Sequence, residues 1–298
     1  MVINWFPGHM KKTQREIKEN LAMVDAVIEI RDARIPRSSA NPDIEKLLEG
    51  KPRIILLNKS DLTDGNVTRE WIKYLTKEDV RVLEVNCIKG DGLKNIKPTL
   101  LTLLKEKHDR LKARGMVNIT TRVMVVGIPN VGKSTFINKL GKNNIAKTGD
   151  RPGVTKSKQW IKTDIGIELL DTPGVLWPRF EDNETALNLA FTGAIKDEIM
   201  DIEELALKLV ERLQSSYTAK LKERYKLDDI FENPLDTLEA IGKKRGTLIS
   251  KGQIDYNRIA VILLDEFRGG KMGNISLERP YQEKTHDDQS GEEKTDDN

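Results

Sequence analysis

Gly127-Ile-Pro-Asn-Val-Gly132-Lys133-Ser134-Thr135 follows a strand-like run, TRVMVVG at 121 to 127, and opens a helix-like one. Glycines at such a junction let backbone N–H groups close around a phosphate, and a helix start supplies more of them. Asn130, Val131, Gly132 and Thr135 would form the cradle. Lys133 would offset charge on the β- and γ-phosphates, and the Ser134 hydroxyl would ligate Mg²⁺. The pattern implies a nucleoside triphosphate, yet this loop by itself separates neither ATP from GTP nor a switch from a metabolic kinase.

Base identity comes from Asn58-Lys59-Ser60-Asp61, which ends the run RIILLN at 53 to 58. The Asp61 carboxylate can accept both N1–H and the exocyclic N2–H of guanine, a donor pair that adenine lacks. Lys59 would lie along the base plane, and Asn58 would tie the loop to the phosphate loop. Alone this tetrapeptide is weak, because asparagine and aspartate favour any turn after a strand. Asn86-Cys87-Ile88-Lys89, also after a strand-like run, is a candidate for backbone contact to the guanine oxygen through Asn86 and Cys87. The thiol there reads as a small packing residue.

Asp171-Thr-Pro-Gly174 closes the run IELLD at 167 to 171, placing Asp171 to hold Mg²⁺ through water and the Gly174 amide near a γ-phosphate. In Arg151-Pro-Gly-Val-Thr155, Thr155 would complete the Mg²⁺ shell only when the γ-phosphate is present, which is a switch. Several such motifs at strand ends on one sheet edge point together to GTP. The order is unusual: the guanine-reading loop lies about 70 residues before the phosphate loop. A sheet tolerates this, since joining old termini and opening a new loop preserves its core.

Many GTPases place a glutamine after the DxxG glycine to orient the attacking water; here that position is Val175, which cannot hydrogen-bond. His9, in the turn Trp5-Phe-Pro-Gly-His9, is the candidate to replace it, since a neutral imidazole can accept from water. A surface turn histidine is the alternative. The catalytic set is then His9, Lys133, Thr155 and Gly174.

The elements that must position these residues are βα units. Apolar runs at 24 to 30, 53 to 58, 80 to 86, 121 to 127 and 167 to 171 alternate with helix-like stretches, including a charged connector from Lys105 to Arg114. They predict an α/β fold with a mostly parallel sheet. After about Met200 the pattern turns helical: Asp201 and Glu204 form a candidate capping box, and Ile202, Leu205, Leu209 and Leu213 share a face, as do Ile259, Ile262, Leu263 and Phe267. The predicted division is a nucleotide domain at 1–180, a small all-helical domain at 181–280 and a disordered acidic tail at 281–298.

The 298 residues are 38% hydrophobic and 33% charged, enough for a sizeable core. The lone Cys87 excludes an internal disulfide framework. No apolar run approaches the ~18 residues of a membrane span and the start lacks an apolar signal core, so a cytoplasmic protein without membrane contact is expected. Net charge is +3, but the final 18 residues carry seven acidic and two basic side chains, leaving 48 basic against 40 acidic in the body. That excess is a weak pointer to nucleic acid.

With NKSD, GIPNVGKST, PGVT and DTPG in that order, the chain resembles the circularly permuted GTPases, most closely the bacterial ribosome biogenesis GTPase A branch. WFPGHMKK at 5 to 12, RDARIP at 31 to 36 and KKRGTLISKGQIDYNRIAVILLDEFRGGKMG at 243 to 273 extend the resemblance over nearly everything before the tail. It implies a circularly permuted P-loop GTPase domain with GTP or GDP as ligand, a helical domain that contacts RNA, and a role in late maturation of the large ribosomal subunit. The implied partners are a large-subunit precursor, its rRNA and ribosomal proteins, bound by a monomer. It points to His9 as well, and Asn130 resembles asparagines that recruit K⁺ to offset transition-state charge. Lys11, Lys12, Arg15, Lys243, Lys244, Arg245, Arg268 and Lys271 are the candidate phosphate contacts. A signalling switch with a protein effector and no RNA is the alternative; a small-molecule kinase is disfavoured because NKSD reads guanine. Permutation also runs DTPG almost directly into the helical domain, so ordering of 151–155 and 171–180 by GTP would reposition that domain.

Overall fold

Five apolar runs become the parallel strands β1 (Ala26–Asp32), β2 (Arg53–Asn58), β3 (Val80–Val85), β4 (Thr121–Val126) and β6 (Ile167–Asp171), while β5 (Trp160–Lys162) pairs antiparallel with β6. The computed structural model describes residues 10–117, 119–141, 160–177, 180 and 182–280, with the backbone alone for 10–13. Strand β5 has no counterpart among the runs predicted from sequence. Three residues are too few to show a period of two, and its partner strand rather than its own pattern makes it extended.

The spatial order is β3-β2-β1-β4-β6-β5. The chain winds outward from β1 to β3 and then returns to the other side of β1 as β4. The C-terminal ends of β1 and β4 therefore flank the point where the order reverses, the place at which parallel α/β sheets form a ligand crevice.

Helices α1 (Met10–Leu21), α2 (Pro42–Leu47), α3 (Gly65–Leu75), α4 (Ile96–Leu103), α5 (Lys105–Ala113) and α6 (Lys133–Leu140) cover the sheet. Strand alternation decides which face each meets. Ala26, Ile28 and Ile30 of β1 enter one core with Ile96 and Leu100 of α4 and Phe136 and Ile137 of α6. Val27 meets Ile17 and Ile44 on the opposite face, and Ile55 and Leu57 of β2 pack with Val67 and Trp71 of α3. No helix among the described residues is long and apolar enough to cross a membrane.

The remaining helices are α7 (Asn183–Phe191), α8 (Ile202–Ser216), α9 (Thr218–Tyr225), α10 (Pro234–Arg245) and α11 (Tyr256–Arg268). Asp182, Asp201, Asn233 and Asp255 start four of them by accepting first-turn amides, which satisfies donors a helix start leaves open. Leu205, Leu209 and Leu213 of α8 are buried with Ile259, Leu263 and Phe267 of α11, in a cluster continuous with the first sheet core.

After α11 the chain turns back onto the sheet. The Ile275 amide donates to the Leu62 carbonyl at 2.8 Å and the Leu277 amide to that of Arg34 at 2.9 Å. The Trp71 indole donates to the Glu278 carbonyl at 3.2 Å, and the buried Glu278 carboxylate accepts from the Arg37 and Ser38 amides, the Ser38 hydroxyl and Asn188. Trp71 thus joins α3 to the C-terminal segment while filling a core, and Trp71→Ala is expected to lower unfolding free energy by about 3–5 kcal/mol in urea denaturation.

Candidate functional site

Strand β4 ends at Val126, and the loop after it reaches α6 at Lys133 through three residues of positive φ, Gly127 (152°), Asn130 (59°) and Gly132 (104°). A Cβ on Gly132 would run into the Asn58 side-chain amide, so both the turn and the approach of the neighbouring loop need glycine there. Ser134 and Thr135 stand in the first turn of α6.

Asn58, the last residue of β2, joins three loops with one amide group. Its Nδ2 donates to the Val131 carbonyl at 2.7 Å, and its Oδ1 accepts from the Cys87 amide at 3.0 Å. Lys59 turns left-handed (φ 62°) and donates from Nζ to the Asn130 carbonyl at 3.0 Å. Asp61 lies in the short helical turn Ser60–Leu62, 3.3 Å from the Lys89 ammonium. The guanine-type loop and the phosphate-type loop are therefore in direct contact.

Asn86 folds its own loop, its Oδ1 accepting from the Ile88 and Lys89 amides at 2.9 Å each. The Asn86 amide donates to Asp91 and that of Cys87 to Asn58. Both amides expected to reach a base oxygen thus have protein partners, and these two residues shape the loop. Burial pushes the Cys87 thiol up to about 12, which leaves it unreactive. Ile88 next to it is 79% exposed, an apolar side chain free to cover a base. Only its exposure marks it, which sequence does not show.

Lys133 is buried and donates from Nζ to the Ile128 carbonyl at 2.7 Å, closing the loop on itself. Burial pushes its ammonium down to about 8, against the opposing pull of Asp171. Burial likewise raises the Asp171 carboxyl, while Lys133 and the Thr172 amide pull it back. The Thr172 hydroxyl pins the start of DTPG to the Val125 carbonyl at 2.6 Å. Gly174 then passes so close that a Cβ would meet the Lys133 ammonium and lie 3.2 Å from the Pro129 nitrogen. His9, Thr155 and the rest of 151–155 lie outside the described residues, as do residues 178, 179 and 181 and the tail from 281.

Residues 122–237 match the family model described as 50S ribosome-binding GTPase. The match begins at β4 and leaves β1 to β3, with the NKSD loop, ahead of it. Ribosome biogenesis GTPase A of Bacillus pumilus is 50% identical over 280 residues, covering 94% of this chain and 99% of that protein. The chain belongs to the ribosome biogenesis GTPase A family. Mitochondrial ribosome-associated GTPase 1 of Bos taurus is 32% identical, over 93% of this chain and 89% of that one. The crystal structure of GNP-bound YlqF from T. maritima superposes with a TM-score of 0.61 at 29% identity, covering 90% of this chain and 98% of that one. The chain is accordingly a P-loop GTP hydrolase that binds guanine nucleotide.

Two arginines expected to face phosphate have internal duties instead. Arg268 pairs with Asp197 at 2.7 and 2.8 Å and donates to the Phe191 and Ala190 carbonyls at 3.1 and 2.9 Å, capping the C-terminus of α7. Arg245 pairs with Glu266 at 2.8 Å and stacks over Tyr225. Lys243, Lys244 and Lys271 are exposed, and the Arg15 side chain is 83% exposed with Glu19 at 3.3 Å. Nothing is described of the Lys11 and Lys12 side chains.

Asn130 makes a contact that sequence does not show. Its Nδ2 donates 2.8 Å to the Gly193 carbonyl, just after α7 and against the Arg268 side chain. The phosphate-type loop is thereby hydrogen-bonded to the helical half of this GTPase.

Proposed function

We propose that this member of the family is a GTP-driven switch in late assembly of the large ribosomal subunit, acting as a monomer in the cytoplasm. The observation that carries the switch is the Asn130 to Gly193 hydrogen bond, since a loop that closes on phosphate is bonded to the helices that would meet the particle. Regions 1–180 and 181–280 act as the nucleotide and docking domains.

In the proposed site Asp61 accepts the two guanine donors, Lys59 lies along the base and Asn58 keeps the two loops in register. Lys133 leaves the Ile128 carbonyl for the β- and γ-phosphates, and the Gly174 amide faces the γ-phosphate. The donor set suits Mg²⁺: Asp171 offers a half-buried carboxylate beside the phosphate loop, with Ser134 and Thr155 as hydroxyl ligands, and Mg²⁺ needs only one or two carboxylates when phosphates complete its shell. Bound there, Mg²⁺ would supply positive charge to offset that of the phosphates. His9 orients the attacking water. Asn130 holds K⁺ by its side-chain oxygen, so hydrolysis should run faster in K⁺ than in Na⁺ and Asn130→Ala should abolish the difference; equal rates in the two salts would remove this assignment.

Contact with rRNA falls to Lys243, Lys244 and Lys271 in the helical region and to Lys11, Lys12 and Arg15 at α1, with ribosomal proteins as further partners. Lys243 and Lys244 are exposed in the last turn of α10, and Leu248 and Ile249, which follow that helix in sequence, are exposed as well. Co-sedimentation with large-subunit particles tests this: the GTP-loaded protein should pellet with them, the GDP-loaded protein should not, and added salt should weaken the association. Binding indifferent to nucleotide and salt would point to a protein effector instead.

A further inference from the structure

The Lys59 ammonium that would lie along the base has a second partner besides the phosphate loop, namely Asp32 Oδ2 at 2.9 Å. Asp32 ends β1 in the RDARIP stretch and is 1% exposed. Arg34, equally buried, grips the same carboxylate with a fork: Nε and the backbone amide reach Oδ1 at 3.0 Å each, and Nη2 reaches Oδ2 at 2.8 Å. Three donors from one residue fix the plane of the carboxylate and leave one direction on Oδ2, which Lys59 takes.

Burying an aspartate and an arginine beside a partly exposed lysine costs desolvation, and apolar side chains of like volume serve stability as well or better. What such a cluster adds is position. A lysine on a four-carbon stem loses much rotamer entropy when a ligand fixes it, and a lysine already fixed does not. Preorganisation of this kind appears as affinity.

The hold extends further. Arg34 Nη1 donates to the Phe267 carbonyl at 3.4 Å, and its guanidinium lies 5.2 Å from the centre of the Phe267 ring. Phe267 is in the last turn of α11, and the chain after it packs Gly270 against Leu62 and donates from Asn274 to the Thr63 carbonyl at 2.7 Å. The floor of the guanine-reading loop is thus built from the C-terminal helix and the segment beyond it.

We propose that Asp32 and Arg34 are positioning residues for guanine recognition, Asp32 holding the Lys59 ammonium where the base will lie and Arg34 anchoring that carboxylate to the end of α11. The proposal rests on the assignment of NKSD as the guanine-reading loop. Neither residue touches nucleotide, so their effect passes through Lys59 and falls equally on GDP and GTP, which share the base.

The test is a double-mutant cycle on the full chain, reading affinity for GDP and GTP by titration and single-turnover hydrolysis in the GTP-bound state. Asp32→Asn is expected to raise both dissociation constants about tenfold, with the hydrolysis rate within about threefold of wild type, because uniform binding is lost. In a Lys59→Met background the same substitution should cost less than about twofold, since the residue it acts through is gone. If Asp32→Asn does not fold, Arg34→Lys enters the cycle, keeping a cation but losing the fork, with an expected loss of about threefold. A full loss persisting in the Lys59→Met background, or unchanged affinity in Asp32→Asn and Arg34→Lys, overturns the proposal. Failure of the wild-type chain to prefer GDP over ADP would instead overturn the guanine-site assignment beneath it.

Discussion

Asp61→Asn is expected to weaken GDP and GTP binding by about two to three orders of magnitude while leaving the fold intact. The carboxylate would accept two hydrogen bonds from one edge of guanine, and hydrogen bonds to a charged group contribute about 1.5–3 kcal/mol each. An asparagine at this position either turns its own amide against a donor or leaves one donor unpaired, and sites built to hydrogen-bond a ligand lose heavily when a partner goes missing. Stability should hardly move, because the Asp61 side chain is 32% exposed and its ion-pair partner, the Lys89 ammonium, is itself 63% exposed. The same substitution should confer binding of xanthine nucleotides, whose oxygen at position 2 accepts from the asparagine amide. Fluorescence titration with labelled GDP and xanthosine diphosphate reads both effects; wild-type GDP affinity in Asp61→Asn would contradict the base assignment.

Lys133→Met should also separate stability from function, this time at the chemical step. Hydrolysis is expected to fall by about 10²–10³-fold, the range seen when one preorganised group stabilising transition-state charge is removed. Stability should hold or rise, because the substitution takes an ammonium out of a buried site whose burial lowers it to about 8. The sign follows from linkage. A lysine whose folded value lies below its unfolded value is charged in both states at lower pH and costs stability there. As pH rises from about 8 toward the unfolded value near 10.5, the folded state releases its proton first and that cost disappears. Melting curves of nucleotide-free wild type, compared with Lys133→Met, should therefore converge as pH increases through this window. A melting difference that widens instead would mean that the Asp171 carboxylate, not burial, dominates the lysine.

The parts of the site legible in sequence are those whose chemistry is local. Gly132 and Lys133 follow β4 and open α6, and Asn58 and Asp61 follow β2, because a phosphate cradle and a base clamp each need their residues at fixed offsets along one short loop. The strands themselves showed through runs of branched apolar residues long enough to have a pattern, whereas Trp160–Lys162 is too short to have one. What escaped is whatever depends on partners distant in sequence. Asp32 and Arg34 acquire their meaning from Lys59 and from Phe267, a residue 233 positions along the chain from Arg34. Arg268, beside two glycines, has the look of a phosphate contact in sequence, and only the fold shows it spending its donors on the end of α7. Asn130 had an expected ligand role but no expected protein partner, because Gly193 lies 63 positions along the chain, just after α7.

The coupling proposed between nucleotide and particle is tested most directly by measuring GTP hydrolysis in K⁺ buffer with and without purified large ribosomal subunits. Marked stimulation by the subunits, lost in His9→Ala, is the expected result. Turnover that ignores the subunits, together with no binding of the GTP-loaded protein to them, would contradict a ribosome-activated switch.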